Sequence, residues 1–476
     1  MQIIDVIEAC MFSLLTVYAG ISATFIFNVG ADNTSPLTGP VAQSPYASAL
    51  STKAPYEIPT DPLPDVPPMC TLKHLRLIAR HGTRYPTKSS LKSMYQFAEF
   101  LQNNIGSVHH PAFMNLSIPY PADLAGELSE QGERDMDGLA KRARLRYQGT
   151  GLLQKIRNVA MRSSKKNRTI DSAKQFYKSL FNSPAIEPRI FVLDRDIDAD
   201  LAPFKACKKY EKISENITDQ GAIWSKAHDE PFAKQISSVI GDSTLPPITV
   251  DQLKTMGQIC AFAVAFGYNT DICDAIGIES LQNLAIAADL EKYGESGYGE
   301  SFNPNLACSV LNGVFIDAQI QKWFKWRKSK WHPSQSVLSF GHAETIIPLI
   351  TALGLFNDEE KLTADMTKEQ LLKRKWNLGT VSSFSANIWF EIYSCESPFK
   401  DVWIRVILNE KAVQIPGCSQ GTDGTSTIPY MCSLGEFEKA MSNYLRCDFD
   451  KQCDNTKETR GGWNFLEKIP NLCRFN

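Results

Sequence analysis

The sequence predicts an α/β fold, a mixed sheet flanked by helices with a helical segment inserted into it. Three observations carry that reading. Apolar runs are followed, again and again, by a polar loop and then by an amphipathic stretch, which is the strand–loop–helix order of a sheet covered by helices. Residues 191–299 break the pattern with helical periodicity and hardly any strand. The alternation then resumes from about residue 300.

The elements follow in order. Residues 11–31 are almost wholly apolar or small, and Val29 and Ala31 suit cleavage before Asp32, so residues 1–31 are expected to be a secretory signal peptide. Asp5 and Glu8 precede the run where Lys or Arg is usual, and the run approaches the ~18–20 residues that span a bilayer, so an uncleaved anchor is the rival. Residues 32–69 are rich in Pro, Ser and Thr and read as a flexible stalk or extended arm. "TLKHLRLIA" then reads as a strand entering a core. Ser89 or Ser90 is placed to cap a helix with Leu91, Met94, Phe97 and Leu101 on one face. Ser129 opens a second helix, "IRNVAMRSS" is a short strand ending at Arg162, and "TIDSAKQFYKSLF" is a helix.

Inside the inserted block, "ITVDQLKTMGQICAFAVAFGY" and "IESLQNLAIAADLEKY" are amphipathic helices. "YGESGYG" follows a helix and lacks a GK[ST] ending, so it reads as a flexible hinge and not as a phosphate loop. "QSVLSF" is a strand running into the helix "GHAETIIPLITALGLF". "FSANIWFEIYSC" and "VWIRVILNEKAVQI" are strands, the second a hairpin turning at Asn409 and Glu410. The domain expectation is therefore residues 70–190 and 300–476 as the α/β domain and 191–299 as a helical cap.

Bulk composition narrows the function. With a formal net charge of −2 over 476 residues, nothing in the bulk balance points to nucleic acid, so any polyanion site must come from local clustering. Twelve cysteines without zinc-finger CxxC spacing point to disulfides and an oxidising compartment. Cys10 lies in the leader, which leaves an odd set. Asn115, Asn167 and Asn216 stand in glycosylation triplets.

Chemistry collects at three strand ends: "RHGTRYP", "RSSKKNR" and "GHAE". Ligand sites of open α/β sheets form at that edge. The three segments supply Arg80, His81, Arg84, Arg162, Lys165, Lys166, Arg168, His342 and Glu344, with one acid among them. Such a set suits a dianion like a phosphoryl group. Taken singly, each has a plainer reading: a hydrogen-bonded histidine, a solvated basic loop, a helix cap. Two histidines with arginines at separate strand ends are harder to explain so.

"RHGTRYP" resembles the RHGxRxP motif of histidine acid phosphatases, and "RSSKKNRTIDSA" resembles that family's second arginine segment. "HAE" stands where most members carry His-Asp. Together with "ILNEKAV", these look like the multiple inositol polyphosphate phosphatase branch, over residues 70–453 or so. The resemblance implies a phosphoglycerate-mutase-like mixed sheet. It implies His81 as nucleophile forming a phosphohistidine, Arg80, Arg84, Arg168 and His342 as phosphoryl ligands, and Glu344 as proton donor to the leaving alkoxide. Arg162 is expected to brace its loop. Lys88 and Lys165 are candidates for phosphates other than the one cleaved. Asn167 adjoins Arg168 and is expected to be unmodified.

The resemblance further implies disulfides Cys70–Cys395, Cys207–Cys473 and Cys260–Cys273. Proximity in sequence suggests Cys418–Cys432 and Cys447–Cys453, which leaves Cys308 unpaired. The expected activity is metal-free and cofactor-free hydrolysis of inositol polyphosphates, the hexakisphosphate included, in the secretory pathway. Alternatives are a broad acid phosphatase, a 2,3-bisphosphoglycerate phosphatase, and a catalytically silent polyphosphate-binding protein. A metal site on His81, His342 and Glu344 is disfavoured by the arginines around it.

Overall fold

A computed structural model of the chain describes residues 44–153, 159–183, 187–326, 336–419, 421–422, 427–428 and 430–455. The leader, Cys10 and Cys473 lie outside them.

Strand β1 (Cys70–Arg80) is continuously buried from His74 onward. Around it stand β2 (Val159–Ser164), β3 (Ile190–Leu193), β4 (Ser336–Gly341), β5 (Asn387–Cys395), β6 (Val402–Leu408) and β7 (Lys411–Val413). With the short strand Met431–Ser433 they form an eight-stranded mixed sheet in the order 431–433, β6, β5, β1, β4, β2, β3, with β7 on β6. β1, β4, β2 and β3 run parallel, while β5 and β6 are antiparallel.

Period-two alternation divides the sheet's side chains between two cores. Ile78, Ile388, Phe390, Ile404 and Val406 pack with Leu311, Val314, Ile346 and Leu349. Leu77, Ala79, Trp389 and Ile407 pack with Met136, Leu139 and Phe176. Both faces are buried, so every position of β5 and β6 is buried and most are apolar, the charged Glu391 and Arg405 being paired with each other. The β6–β7 hairpin turns at Asn409 and Glu410, both at positive φ, as a type I′ turn requires.

Five details differ from the sequence reading. β3 lies at the edge of the block expected to be strandless. Its four residues are too few for a periodic signal, and Phe191 is 54 % exposed there. The helix Lys88–Asn103 is capped by Thr87, whose hydroxyl accepts from the Ser90 amide, so Ser89 and Ser90 lie inside it. β2 continues past Arg162 to Ser164. "YGESGYG" is no hinge: the Asn303 amide binds the carbonyls of Gly294 and Gly297, and a Cβ at Gly297 would lie 2.5 Å from the Trp376 ring.

Finally, residues 47–54 are not a free arm. Ala47, Ala49, Leu50 and Ala54 are buried beneath two 3-10 turns. Ser51 Oγ donates to Asp289 at 2.8 Å, Asn377 Nδ2 to the Ser48 carbonyl at 2.9 Å, and the Tyr56 hydroxyl to Glu410 at 3.0 Å. Small residues look like linker by composition, but they also permit close packing.

Among the described residues five disulfides join Cys70–Cys395, Cys207–Cys453, Cys260–Cys273, Cys308–Cys447 and Cys418–Cys432. The first links register partners across β1 and β5. Three expectations are corrected: Cys207 pairs with Cys453, not Cys473; Cys447 does not pair with Cys453; and Cys308 is paired, with Cys447. Cys207, Cys308, Cys447 and Cys453 all meet in one apolar cluster with Leu306 and Phe449. The short helix Phe449–Gln452 separates Cys447 from Cys453, so each finds a distant partner. Among the described residues no cysteine is free, and no helix is long and apolar enough to cross a membrane.

Candidate active site

Register alone brings the two motif histidines together. Arg80, the last residue of β1, pairs with Gly341, the last of β4. His81 and His342 therefore leave adjacent parallel strands at the same level, with ring centroids 5.8 Å apart. β2 ends alongside at Ser164, and the helix Asn167–Leu180 brings Arg168 to the same edge. β5 begins there too, so the loop 382–386 closes the fourth side.

The loop after β1 is fixed through its backbone. The His81 amide donates to the Gly341 carbonyl at 3.1 Å, and the His81 carbonyl accepts from the Ser385 amide at 3.1 Å. Thr83 donates to Asp135 from its amide at 2.9 Å and its hydroxyl at 2.7 Å, and Ser129 Oγ donates to the Thr83 carbonyl at 2.8 Å. Gly82 is demanded by close approach: a Cβ there would lie 2.4 Å from the Gly132 carbonyl oxygen. Gly82→Ala should therefore destabilise the protein by about 1–3 kcal/mol and shift His81. Thermal unfolding and kcat of the purified variant check this; wild-type values in both would exclude it.

His81 is buried. Its Nδ1 lies 2.8 Å from its neighbour's carbonyl, Gly82 O. A carbonyl only accepts, so Nδ1 carries the hydrogen and Nε2 keeps its lone pair. Burial, then the positive charges of Arg80 and Arg168, hold the His81 pKa well below 6.5, so the ring is neutral across the weakly acidic range. The ring is thus a neutral imidazole with the Nε2 lone pair available.

The cations are held without carboxylate partners. Arg80 Nη1 donates to the carbonyls of Thr52 at 2.5 Å and Ser382 at 2.6 Å, and its guanidinium lies 4.6 Å from the Phe384 ring centre. Arg84 donates to the Tyr85 carbonyl at 2.8 Å and faces Phe262 of the inserted helices at 5.9 Å. Arg168 reaches the Gly126 carbonyl at 3.4 Å and His342 Nδ1 at 3.5 Å. Burial, followed by mutual repulsion, lowers Arg80 to about 9 and Arg84 to about 10. Nε of Arg80 and of Arg168 is buried without a hydrogen-bond partner. Such crowding favours an anion.

His342 has Nε2 at 3.2 Å from Ser164 Oγ, and burial with Arg168 lowers its pKa to about 3. Thr345 Oγ1 accepts from the His342 amide at 3.0 Å and donates to the Leu201 carbonyl at 2.6 Å, which ties the strand end to the following helix. Glu344 sits in the first turn of that helix, Ala343–Ala352. Burial raises its pKa, but Lys292, the helix amide, His342 and Arg80 together outweigh burial and hold it below the usual value. With these neighbours Glu344 is a carboxylate at neutral pH.

The structure thus gathers Arg80, His81, Arg84, Arg168, His342 and Glu344. Lys88 is exposed at the start of its helix, and Lys165 forms an exposed ion pair with Asp194 at 2.5 Å; neither is drawn toward His81. Arg162 pairs with Asp200. Sequence reasoning missed four neighbours. Lys292 comes from the helix Ile278–Glu295, where it looks like a surface lysine. Arg195 lies over Phe204, itself 5.9 Å from the His342 ring. Phe384 is 6.1 Å from the His81 ring. Lys53 comes from the segment read as an arm. None has a sequence signal beyond its residue type. Among the described residues, no group of three or more His, Cys, Asp or Glu side chains is placed to hold a metal ion.

A sheet edge built from an RHG loop, a second arginine segment and a His-x-Glu helix start is the arrangement of one phosphatase class, and residues 71–409 match the histidine phosphatase superfamily, branch 2. The chain belongs to that family. Among individual relatives it is 27 % identical over 375 residues to multiple inositol polyphosphate phosphatase 1 of Homo sapiens, spanning 73 % of this chain and 76 % of that protein. It is 25 % identical over 444 residues to the Gallus gallus protein of the same name, spanning 89 % and 96 %. Its fold superposes on the crystal structure of the phytase from D. castellii with a TM-score of 0.69 and 19 % identity, over 89 % of this chain and 90 % of the other.

Proposed function

We propose that this chain hydrolyses phosphomonoesters of inositol polyphosphates, the hexakisphosphate included, through a phosphohistidine on His81. The observation that carries the chemistry is the buried, neutral His81 ring, with Nδ1 committed to Gly82 O, beside Arg80, Arg84 and Arg168, whose nearest shared carboxylate, Glu344, makes no ion pair with them. The relatives named for inositol polyphosphates support the substrate class.

In the first step Nε2 of His81 attacks phosphorus and the P–O bond to the inositol oxygen breaks. Arg80, Arg84 and Arg168 carry the charge of the transferring group, with His342 as a further donor. Glu344, protonated once substrate anions oppose its surrounding cations, gives its proton to the leaving alkoxide. In the second step Glu344, now a carboxylate, takes a proton from water, which attacks phosphorus. The P–N bond breaks and His81 regains its lone pair. The inserted helices act as a cap, a reading supported by Phe262 behind Arg84 and Lys292 beside Glu344. Five disulfides support a secreted or lumenal site of action.

Purified protein given inositol hexakisphosphate should release inorganic phosphate, and at the same rate with a chelator present. Hydrolysis of p-nitrophenyl phosphate without the hexakisphosphate would reduce the reading to a broad phosphatase. Loss of activity on chelation would contradict a transition state stabilised by the arginines and His342 without a metal ion.

A further inference from the structure

The 52–54 segment is built into the wall of the site. The Thr52 carbonyl accepts from Arg80 at 2.5 Å, and the Ala54 carbonyl accepts from the Phe384 amide at 3.0 Å. Ser51 on one side is fastened to Asp289, and Tyr56 on the other to Glu410. Lys53, between these anchors, is half-buried.

The non-motif cations differ in what they hold. Lys165 is paired with Asp194, Arg162 with Asp200, and Lys292 with Glu295. Arg195 is held over the Phe204 ring. Lys53 has neither ion pair nor aromatic partner among the described residues. Its electrostatic neighbours are chiefly cations, Arg84, Arg80 and Lys292, against one carboxylate, Glu291. Burial first, and those arginines next, lower it to about 8, so it remains an ammonium at neutral and acid pH. An ammonium clamped by its own backbone among like charges lowers its free energy when an anion arrives.

We infer that Lys53 is a specificity-determining residue that binds a phosphate of the substrate other than the one being transferred. It rests on the reading of the site as an inositol polyphosphate phosphatase, and assigns the recognition of the second anion to the N-terminal segment in place of Lys88 or Lys165. One-phosphate substrates leave Lys53 unmatched.

The test uses inositol hexasulfate, which carries the charges but is not turned over, as an inhibitor of p-nitrophenyl phosphate hydrolysis. Lys53→Met keeps the length of the side chain and removes the charge. Its inhibition constant should rise about tenfold over the parent's, the size of one charged hydrogen bond. Lys53→Arg should stay within about threefold of the parent. With hexakisphosphate as substrate, KM should rise in Lys53→Met while kcat changes less, and the loss in kcat/KM should exceed that on p-nitrophenyl phosphate by about tenfold. Turnover of p-nitrophenyl phosphate by both variants reports that they fold. Equal inhibition of parent and Lys53→Met, or equal losses on both substrates, would overturn this inference alone. A parent not inhibited by the hexasulfate and inactive on the hexakisphosphate would overturn the functional reading beneath it. If Lys53→Met does not fold, failure of Lys53→Arg to hold the parent's inhibition constant decides against the proposal.

Discussion

His81→Ala should lose turnover on every phosphomonoester, by roughly 10⁴-fold or more, while remaining folded. The expectation rests on the isolation of the Nε2 lone pair. Nδ1 is bound to Gly82 O, and the other ring nearby, His342, has Nε2 against Ser164 and Nδ1 against Arg168. The hydroxyls nearby, Ser164 against His342 and Ser172 against the Gly82 amide, are engaged in hydrogen bonds. The fold should survive because the loop is held by backbone bonds to Gly341 and Ser385 and by Thr83, not by the imidazole. Circular dichroism and thermal unfolding of the variant check the fold. Activity within about tenfold of the parent would remove His81 from the mechanism.

Glu344→Gln should separate substrates by their leaving groups. An inositol alkoxide needs a proton, so its first step should slow by roughly 10²–10⁴-fold. Nitrophenolate leaves unaided, and its first step should slow far less, while the second step, which needs a base, suffers for both. The phosphoenzyme should therefore accumulate when the variant is given p-nitrophenyl phosphate. Single-turnover rates on the two substrates decide; equal first-step losses would place the proton donor elsewhere.

The pH dependence follows in sign. The carboxyl must be protonated to act as acid, and in the empty site surrounding cations hold its pKa below the ordinary 4.5. Bound phosphates oppose those cations and raise it. The falling limb of kcat on the hexakisphosphate should then lie at higher pH than an empty-site Glu344 would give, and Glu344→Gln should abolish that limb.

The reactive centre was legible because it is made of contiguous motifs at strand ends. Reading β1 and β4 as strands was enough to put Arg80 and Gly341 near one edge, and parallel register then leaves His81 beside His342. What surrounds the centre was not legible, since it comes from segments whose local character says something else. Lys53 lies among Pro, Ser and Thr and looks solvated; only tertiary contacts to Asp289, Asn377 and Glu410 make it wall. Lys292 is spaced as a surface lysine on an amphipathic helix. Lys165 differs: it stands in a basic run beside a motif, and β3, too short to be seen, ends beside it and leads to Asp194, with which it pairs. Cys308 and Cys447 met through an apolar cluster that sequence distance hides.

The central claim is a covalent phosphorus–nitrogen bond at His81, and trapping it is the most direct test. Glu344→Gln, mixed with p-nitrophenyl phosphate and quenched in alkali within milliseconds, should yield phosphate on the peptide carrying His81, stable to base and released by acid. His81→Ala treated identically should yield none. Hydrolysis proceeding with no protein-bound phosphate at any time, or phosphate found on a residue other than His81, would contradict the account.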